Sequence, residues 1–466
     1  MKRAAIINVV GLTEALIGPA TPHLLNFLKH GVSAHIVSAF PAVTCVAQAN
    51  YLTGLLPARH GIVANGWFNR ELAEVHFWKQ SNHVVAGEKL WSSLRKVDPK
   101  FTCAQLFWWF NMYADVDYSI TPRPAYPADG RKVFDVYTSP PQIRADIKKD
   151  LGEFPFPGFW GPAAGRKTPQ GAPDAASRWI AESARWIENR HSPTLSLIYL
   201  PHLDYNLQRL GPADPGIHRD LAEIDAIVGD LISFFTGRGA QVVLLSEYGI
   251  DPVDTPIHLN RLFRREGWIA IREELGLELL DAGASRVFAV ADHQVAHIYL
   301  NDKSLKSKVR SLLEGQGSVE AVIDTSAPEG AELAHPRAGD LVAVARERAW
   351  FTYYYWLDDA VAPDFARTVD IHRKPGYDPV ELFLDPQQSA IQLKILWRLL
   401  QKRLGFRMLM DVIPLDARLV KGSHGRRVTD PMRQPILISP PGSAALPPQI
   451  NSTDVCAILK NLVASS

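Results

Sequence analysis

The sequence predicts an α/β fold built on a largely parallel sheet with helices on both faces. Two observations carry that reading. Short, nearly continuous apolar runs rich in β-branched residues recur at 4–10, 32–40, 101–109, 194–200, 241–246 and 295–300, as expected of strands buried on both faces. Helical patterns lie between or after them, at 44–52, 176–189, 218–235 and 304–313.

Taken in order, residues 4–10 form a central parallel strand. Thr21-Pro22 then supplies a capping residue followed by proline at the first helical position, and Leu24, Leu25, Phe27 and Leu28 give a helical face that stops at Gly31. The chain returns as a strand over 32–40 and as a helix from Thr44. Residues 118–173 are rich in proline, glycine and aromatics with little periodicity, carry Arg123, Tyr126 and Arg131, and read as an insertion over the site within a single domain spanning 1–466. The dense aromatic run 350–356 reads as a buried strand and turn, with a substrate-stacking wall as the alternative. In sheets of this kind, sites form beyond the carboxyl ends of the strands, which directs attention to the loops after Val10, Phe40, Leu200 and Leu245.

Composition narrows the partners. The 466 residues carry a formal charge of +1 and 47% hydrophobic residues, so bulk electrostatics indicate neither a nucleic-acid nor a membrane partner. No apolar run reaches the roughly 18–20 residues that a spanning helix needs, and the N-terminus lacks a signal-peptide layout, so a cytoplasmic protein is expected. Cys45, Cys103 and Cys456 are widely spaced in apolar sequence and read as buried free thiols.

The richest segment runs from Phe40-Pro41-Ala42-Val43-Thr44-Cys45 through Thr53-Gly54 to His60-Gly61-Ile62-Val63-Ala64-Asn65. A threonine opening a helix sits where unpaired N–H groups and the helix dipole attract an anionic group. Thr44 is thus either a nucleophile or a plain helix cap, and Cys45 is a thiol alternative at the same place. The segment resembles the nucleophile region of the nucleotide pyrophosphatase/phosphodiesterase family of the alkaline phosphatase superfamily. That resemblance implies an alkaline-phosphatase-like fold, a threonine nucleophile at Thr44, and an asparagine at Asn65 that helps hold a phosphoryl oxygen. It further implies two zinc ions that clamp the apical oxygens of an in-line displacement.

The other loops match the family's ligand pattern unevenly. In His202-Leu203-Asp204…Gln208…Gly211-Pro212, Asp204 stands at a metal-ligating aspartate, but Gln208 stands where a histidine is expected. In Ser246-Glu247-Tyr248-Gly249 the family's Asp-His becomes Glu247 and Tyr248, and a phenol ligates poorly because its pKa is about 10. Gly422-Ser423-His424-Gly425 supplies the remaining histidine, His424. The first strand ends at Val10 in place of an aspartate, with Asn8 two residues earlier on the same strand face. The implied metal ligands are therefore Asp204, His424 and Glu247, for a divalent metal, zinc by resemblance, at one or two sites. Asn8, His202, Gln208, Tyr248, His293, His372 and Arg373 are the possible substitutes or substrate-binding groups.

The expected function is hydrolysis of a phosphodiester, pyrophosphate or related small anionic ester through Thr44 with an altered metal requirement. The alternatives are a non-catalytic descendant that binds a phosphorylated small molecule, and a metal-independent nucleophilic enzyme.

Overall fold

The computed structural model describes residues 1–128, 131–169 and 171–464. Its centre is a nine-stranded sheet in the order Gln449–Asn451, Val32–Val37, Ile436–Ser439, Gln241–Leu245, Ala4–Val9, Leu195–Leu200, Cys103–Leu106, Tyr118–Pro122, Val136–Ser139. Ala4–Val9 lies between Leu195–Leu200 and Gln241–Leu245, parallel to both, and all six of its residues are buried. Burial on both faces explains why these strands read as unbroken apolar runs. Two strands run against the rest: Ile436–Ser439, wedged between Val32–Val37 and Gln241–Leu245, and the edge strand Val136–Ser139.

Helices Pro22–His30, Ala175–His191 and Ile217–Thr236 form where the periodicity places them. The expected parallel strand at 295–300 is instead part of a separate four-stranded antiparallel sheet, Val287–Asp292, Val295–Leu300, Leu341–Ala345 and Val319–Asp324. Its buried apolar run is indistinguishable from that of a parallel strand because this sheet also has a core of its own, centred on Val287, Ala289, Ile298 and Leu341.

The segment 118–173, expected as an insertion over the site, begins by extending the main sheet with Tyr118–Pro122 and Val136–Ser139 and then crosses the pocket described below. Residues 129, 130 and 170 of that segment, and 465 and 466 of the chain, lie outside the described residues. The aromatic run is core: Tyr353, Tyr354, Tyr355 and Trp356 are all buried and pack on Val253, Val380 and Ile413.

Candidate active site

Helix Thr44–Thr53 starts just beyond the strand Val32–Val37, with Val43 as the capping residue, and ends at Gly54, whose φ of 69° is the left-handed conformation that glycine adopts without strain. Thr44 lies at the base of a pocket whose polar residues include Tyr199, Asp204, Tyr248, His293, Tyr377 and His424. Trp78, Trp109, Phe156, Phe159 and Trp160 supply apolar walls, and Lys132 and His372 add basic side chains.

Three side chains from three segments join in series. The Thr44 hydroxyl lies 3.2 Å from the Tyr248 hydroxyl, which donates to Asp204 Oδ1 at 3.2 Å. Asp204 Oδ2 accepts from Gln208 Nε2 at 2.8 Å, and Gln208 Oε1 accepts from the Tyr377 hydroxyl at 3.0 Å. Asp204 and Gln208 meet because the chain after Leu200 is helical, His202–Leu210, and residues four apart share a helix face. Burial raises the Asp204 carboxyl to about 7, partly offset by its bonds from Tyr248 and Gln208.

The same helix separates His202 from Asp204. An extended chain would have put both on one side; here the two are a half-turn apart, and His202 Nε2 faces Glu223 at 3.0 Å, outside the pocket lining. His202, Asp220 and Glu223 present ligand atoms within 4.8 Å of one another, and among the described residues they are the group of this kind able to hold a divalent ion.

Glu247 is fully buried. Its Oε1 accepts from Asn8 Nδ2 at 2.6 Å and from Gln48 Nε2 at 2.5 Å, so Asn8 serves this carboxyl and does not reach the pocket. Burial, against the lowering effect of Gln48, Asn8 and Thr44, raises Glu247 to about 8 and leaves it protonated at neutral pH. Tyr248 stacks on His424 with ring centroids 3.6 Å apart and planes 7° off parallel. His424 Nδ1 donates to the Ala42 carbonyl at 2.7 Å, which leaves Nε2 as the lone-pair nitrogen, and burial lowers this imidazole to about 3. His293 lies against both His424, at 3.6 Å, and Tyr377, at 3.7 Å.

Asn65 is turned to structural use. Its backbone and side-chain nitrogens donate to Asp292 at 2.7 and 3.1 Å, while Oδ1 accepts from the Cys45 N–H at 3.0 Å, so it braces the helix start from outside the pocket lining. His372 lines the pocket, its Nδ1 bonded to the Phe77 carbonyl, but Arg373 points away and pairs with Asp364 at 3.0 Å. Cys45 is buried outside the lining, and burial pushes its thiol well above the usual range, which disfavours the thiolate.

The donor set does not fit a two-zinc cage. Both Asp204 oxygens are occupied by hydrogen bonds, Gln208 offers that carboxyl a nitrogen, Val10 is a fully buried hydrocarbon, Glu247 has one oxygen capped by two amides, and Tyr248 is a phenol held flat on His424. Of the expected ligand atoms, His424 Nε2 and Glu247 Oε2 are left without a hydrogen-bond partner among the described residues.

Sequence reasoning missed Tyr199, Tyr377 and the tryptophans of the pocket. Tyr199 and Trp109 carried a signal, since they lie at the carboxyl ends of the expected strands 194–200 and 101–109; Trp78 lies in a segment that gave none.

The architecture and the threonine at the pocket base define an alkaline-phosphatase-like protein. The chain belongs to the type I phosphodiesterase/nucleotide pyrophosphatase family, whose model matches residues 4–378. An uncharacterized pyrophosphatase/phosphodiesterase of Schizosaccharomyces pombe is 23% identical over 267 residues, 53% of this chain and 46% of the relative. Among solved structures, phosphonoacetate hydrolase from Sinorhizobium meliloti, in complex with phosphonoformate, is similar with a TM-score of 0.60 and 15% identity, covering 99% of this chain and 96% of its own. An inactive threonine-to-alanine form of murine ectonucleotide pyrophosphatase/phosphodiesterase 5, in complex with AMP, is similar at 0.58 and 14%, covering 99% and 95%.

Proposed function

We propose that this chain hydrolyses a phosphodiester, pyrophosphate or related anionic ester with an apolar or aromatic substituent, using Thr44 as the nucleophile and a metal requirement unlike the two-zinc pattern of its family. The observation that carries the reading is the series Thr44–Tyr248–Asp204 at a helix start on the pocket base. In the first step the Thr44 oxygen bonds to phosphorus, its proton passes to Tyr248 as the Tyr248 proton passes to Asp204, and the leaving alkoxide departs. Water then attacks phosphorus, its released proton neutralises the departed alkoxide in solvent, and the Asp204 proton returns through Tyr248 to the Thr44 oxygen as the threonyl ester breaks, which restores both residues. The helix dipole favours the anion at Thr44, His293 lines the pocket and its buried Nδ1 has no hydrogen-bond partner among the described residues, and the aromatic walls suit an apolar substituent.

The inactive threonine-to-alanine form of the murine relative supports the assignment of the nucleophile, and its AMP, like the phosphonoformate of the bacterial hydrolase, supports a small anionic ligand. The test is turnover of bis-p-nitrophenyl phosphate by protein purified without chelator, with its metal content measured. Turnover abolished by Thr44→Ala, with fewer than two zinc ions per chain, is expected. Turnover that survives Thr44→Ala removes the nucleophile, and two zinc ions per chain remove the altered metal requirement. The unsuited donor set also favours a second reading, a binder of a phosphorylated small molecule; saturable AMP binding without turnover would select it.

A further inference from the structure

Helix Ile391–Arg403 is unlike the other long helices in having no buried residue. Leu393, Leu396, Trp397, Leu400 and Leu404 follow the spacing i, i+3, i+4, i+7, i+11, which places them on one face, and each is between 44% and 68% exposed. Phe406 in the following turn is 63% exposed. The opposite face holds the helix to the protein: Ile391 and Ile395 pack on the aromatic core, and Lys394 and Arg398 pair with Asp411 at 2.8 and 3.4 Å. An apolar face this large and contiguous needs a covering surface.

Its charge says which one. Residues 386–410 carry five basic side chains, Lys394, Arg398, Lys402, Arg403 and Arg407, and no acidic one, in a chain whose net charge is +1. Lys394 and Arg398 are neutralised by Asp411 on the attached face, but Lys402 and Arg403 at the helix end would meet their own kind in a second copy laid face to face, whereas an anionic lipid surface receives both the leucines and these cations. A basic amphipathic helix with leucine and tryptophan on its apolar face has the composition of one that lies in the headgroup boundary. At 13 residues it is too short to cross a bilayer.

We propose that helix Ile391–Arg403 and the turn after it dock this protein on an anionic lipid surface beside the mouth of the Thr44 pocket. The position of the pocket supports this. A groove lined by Lys132, Phe134, Leu399, Lys402 and Arg403 adjoins the helix, and Lys132 lines the Thr44 pocket as well. Lys402 sits 4.9 Å from the Phe134 ring centroid, and Phe134 stacks at 4.7 Å on Phe156, a pocket wall. A chain of contacts thus links the end of the helix to the wall of the Thr44 pocket. Granting the hydrolase reading, the ester reaches Thr44 from the membrane surface.

The test is co-sedimentation of the full chain with phosphatidylcholine vesicles, with and without phosphatidylglycerol. Binding to the mixed vesicles is expected, and the double variant Leu396→Glu/Trp397→Glu weakens it by about tenfold or more. Lys402→Glu/Arg403→Glu removes the preference for phosphatidylglycerol. All four residues lie outside the buried core, so unchanged melting temperatures confirm that the variants fold. Failure of the parent to bind mixed vesicles, or equal binding by the leucine–tryptophan variant, overturns the proposal. A concentration-dependent dimer that this variant dissolves overturns it in favour of a second copy. Vesicle binding without turnover of any ester leaves the docking standing and the hydrolase reading refuted. The access route is read separately: the leucine–tryptophan variant should lose turnover of a vesicle-embedded phosphodiester while cleaving bis-p-nitrophenyl phosphate at the parent rate, and equal turnover of both refutes the route.

Discussion

Replacing Tyr248 by phenylalanine removes one oxygen atom and isolates the relay. That oxygen lies 3.2 Å from both Thr44 Oγ1 and Asp204 Oδ1, so its loss leaves the nucleophile without the path to its base. The ring stays stacked on His424 at 3.6 Å, which retains the packing. The stability lost is that of one hydrogen bond to a partly ionised carboxyl, about 1–2 kcal/mol. The effect on chemistry is much larger. Positioned general-base catalysis contributes about 10²–10⁴ in rate, so kcat on bis-p-nitrophenyl phosphate should fall at least about 100-fold, equivalent to about 2.7 kcal/mol of barrier. KM should change little, because the hydroxyl acts on Thr44 and not on the apolar part of the substrate. Asp204→Asn interrupts the same series and should produce a comparable loss, with the double variant no worse than either alone. A Tyr248→Phe enzyme within about threefold of the parent, or strictly additive losses in the double variant, would refute the relay.

Two further outcomes follow from the buried carboxyls. Asp292→Ala strands the Asn65 backbone N–H and amide beneath the nucleophile helix, and should lower the urea-derived unfolding free energy by about 2–4 kcal/mol; a loss under about 1 kcal/mol would mean that water replaces the carboxylate. Burial raises Asp204 and Asp292 to about 7 and Glu247 to about 8, so the folded protein holds these protons more tightly than the unfolded chain does. Their contribution to stability is complete below about pH 4 and disappears as pH rises through 7 to 8. Burial lowers His424 to about 3 and His297 to about 4, which has the opposite sign: stability falls as pH drops from about 6.5 toward those values. Above about pH 6.5 the carboxyls alone still titrate, so the melting temperature should decline from there through pH 8; a rise from pH 7 to 9 would contradict the raised carboxyls.

Much of the fold was legible because buried parallel strands and amphipathic helices write strong local patterns. Ala4–Val9, Leu195–Leu200 and Gln241–Leu245 emerge near their expected bounds, as do the helices between them. Residues 295–300 were assigned to the wrong sheet because burial on two faces leaves the same apolar run in either setting. At the site, motif position located Thr44, Asp204, Tyr248 and His424 together, but it did not reveal what their atoms bond to. His202 and Asp204 were expected on one side because a loop was expected; a helical turn rotates them apart. Asn65 kept its place in the sequence while Asp292, 227 positions away, turned its amide to bracing. A lone Asp-His pair at the start of a strand gave no sign of that role.

The departures from the family's ligand pattern form one electrostatic arrangement. Two dications would neutralise several carboxylates at once, and without them clustered buried carboxylates repel and are poorly solvated. Here Val10 removes one acid outright, while Asn8 and Gln48 donate to Glu247, whose raised pKa keeps it neutral. Gln208 and Tyr248 donate to Asp204, whose carboxyl, raised to about 7, meets the nucleophile through Tyr248. On the proposed reading, amide donors and protonation take over the neutralising that metal ions would do, and Asp204 faces Thr44 through one phenol. On this account Gln208→His should not restore a zinc site, since Val10 and Tyr248 still withhold ligands; tight zinc binding at the pocket by that variant alone would show that the arrangement is less interdependent than its hydrogen bonds imply.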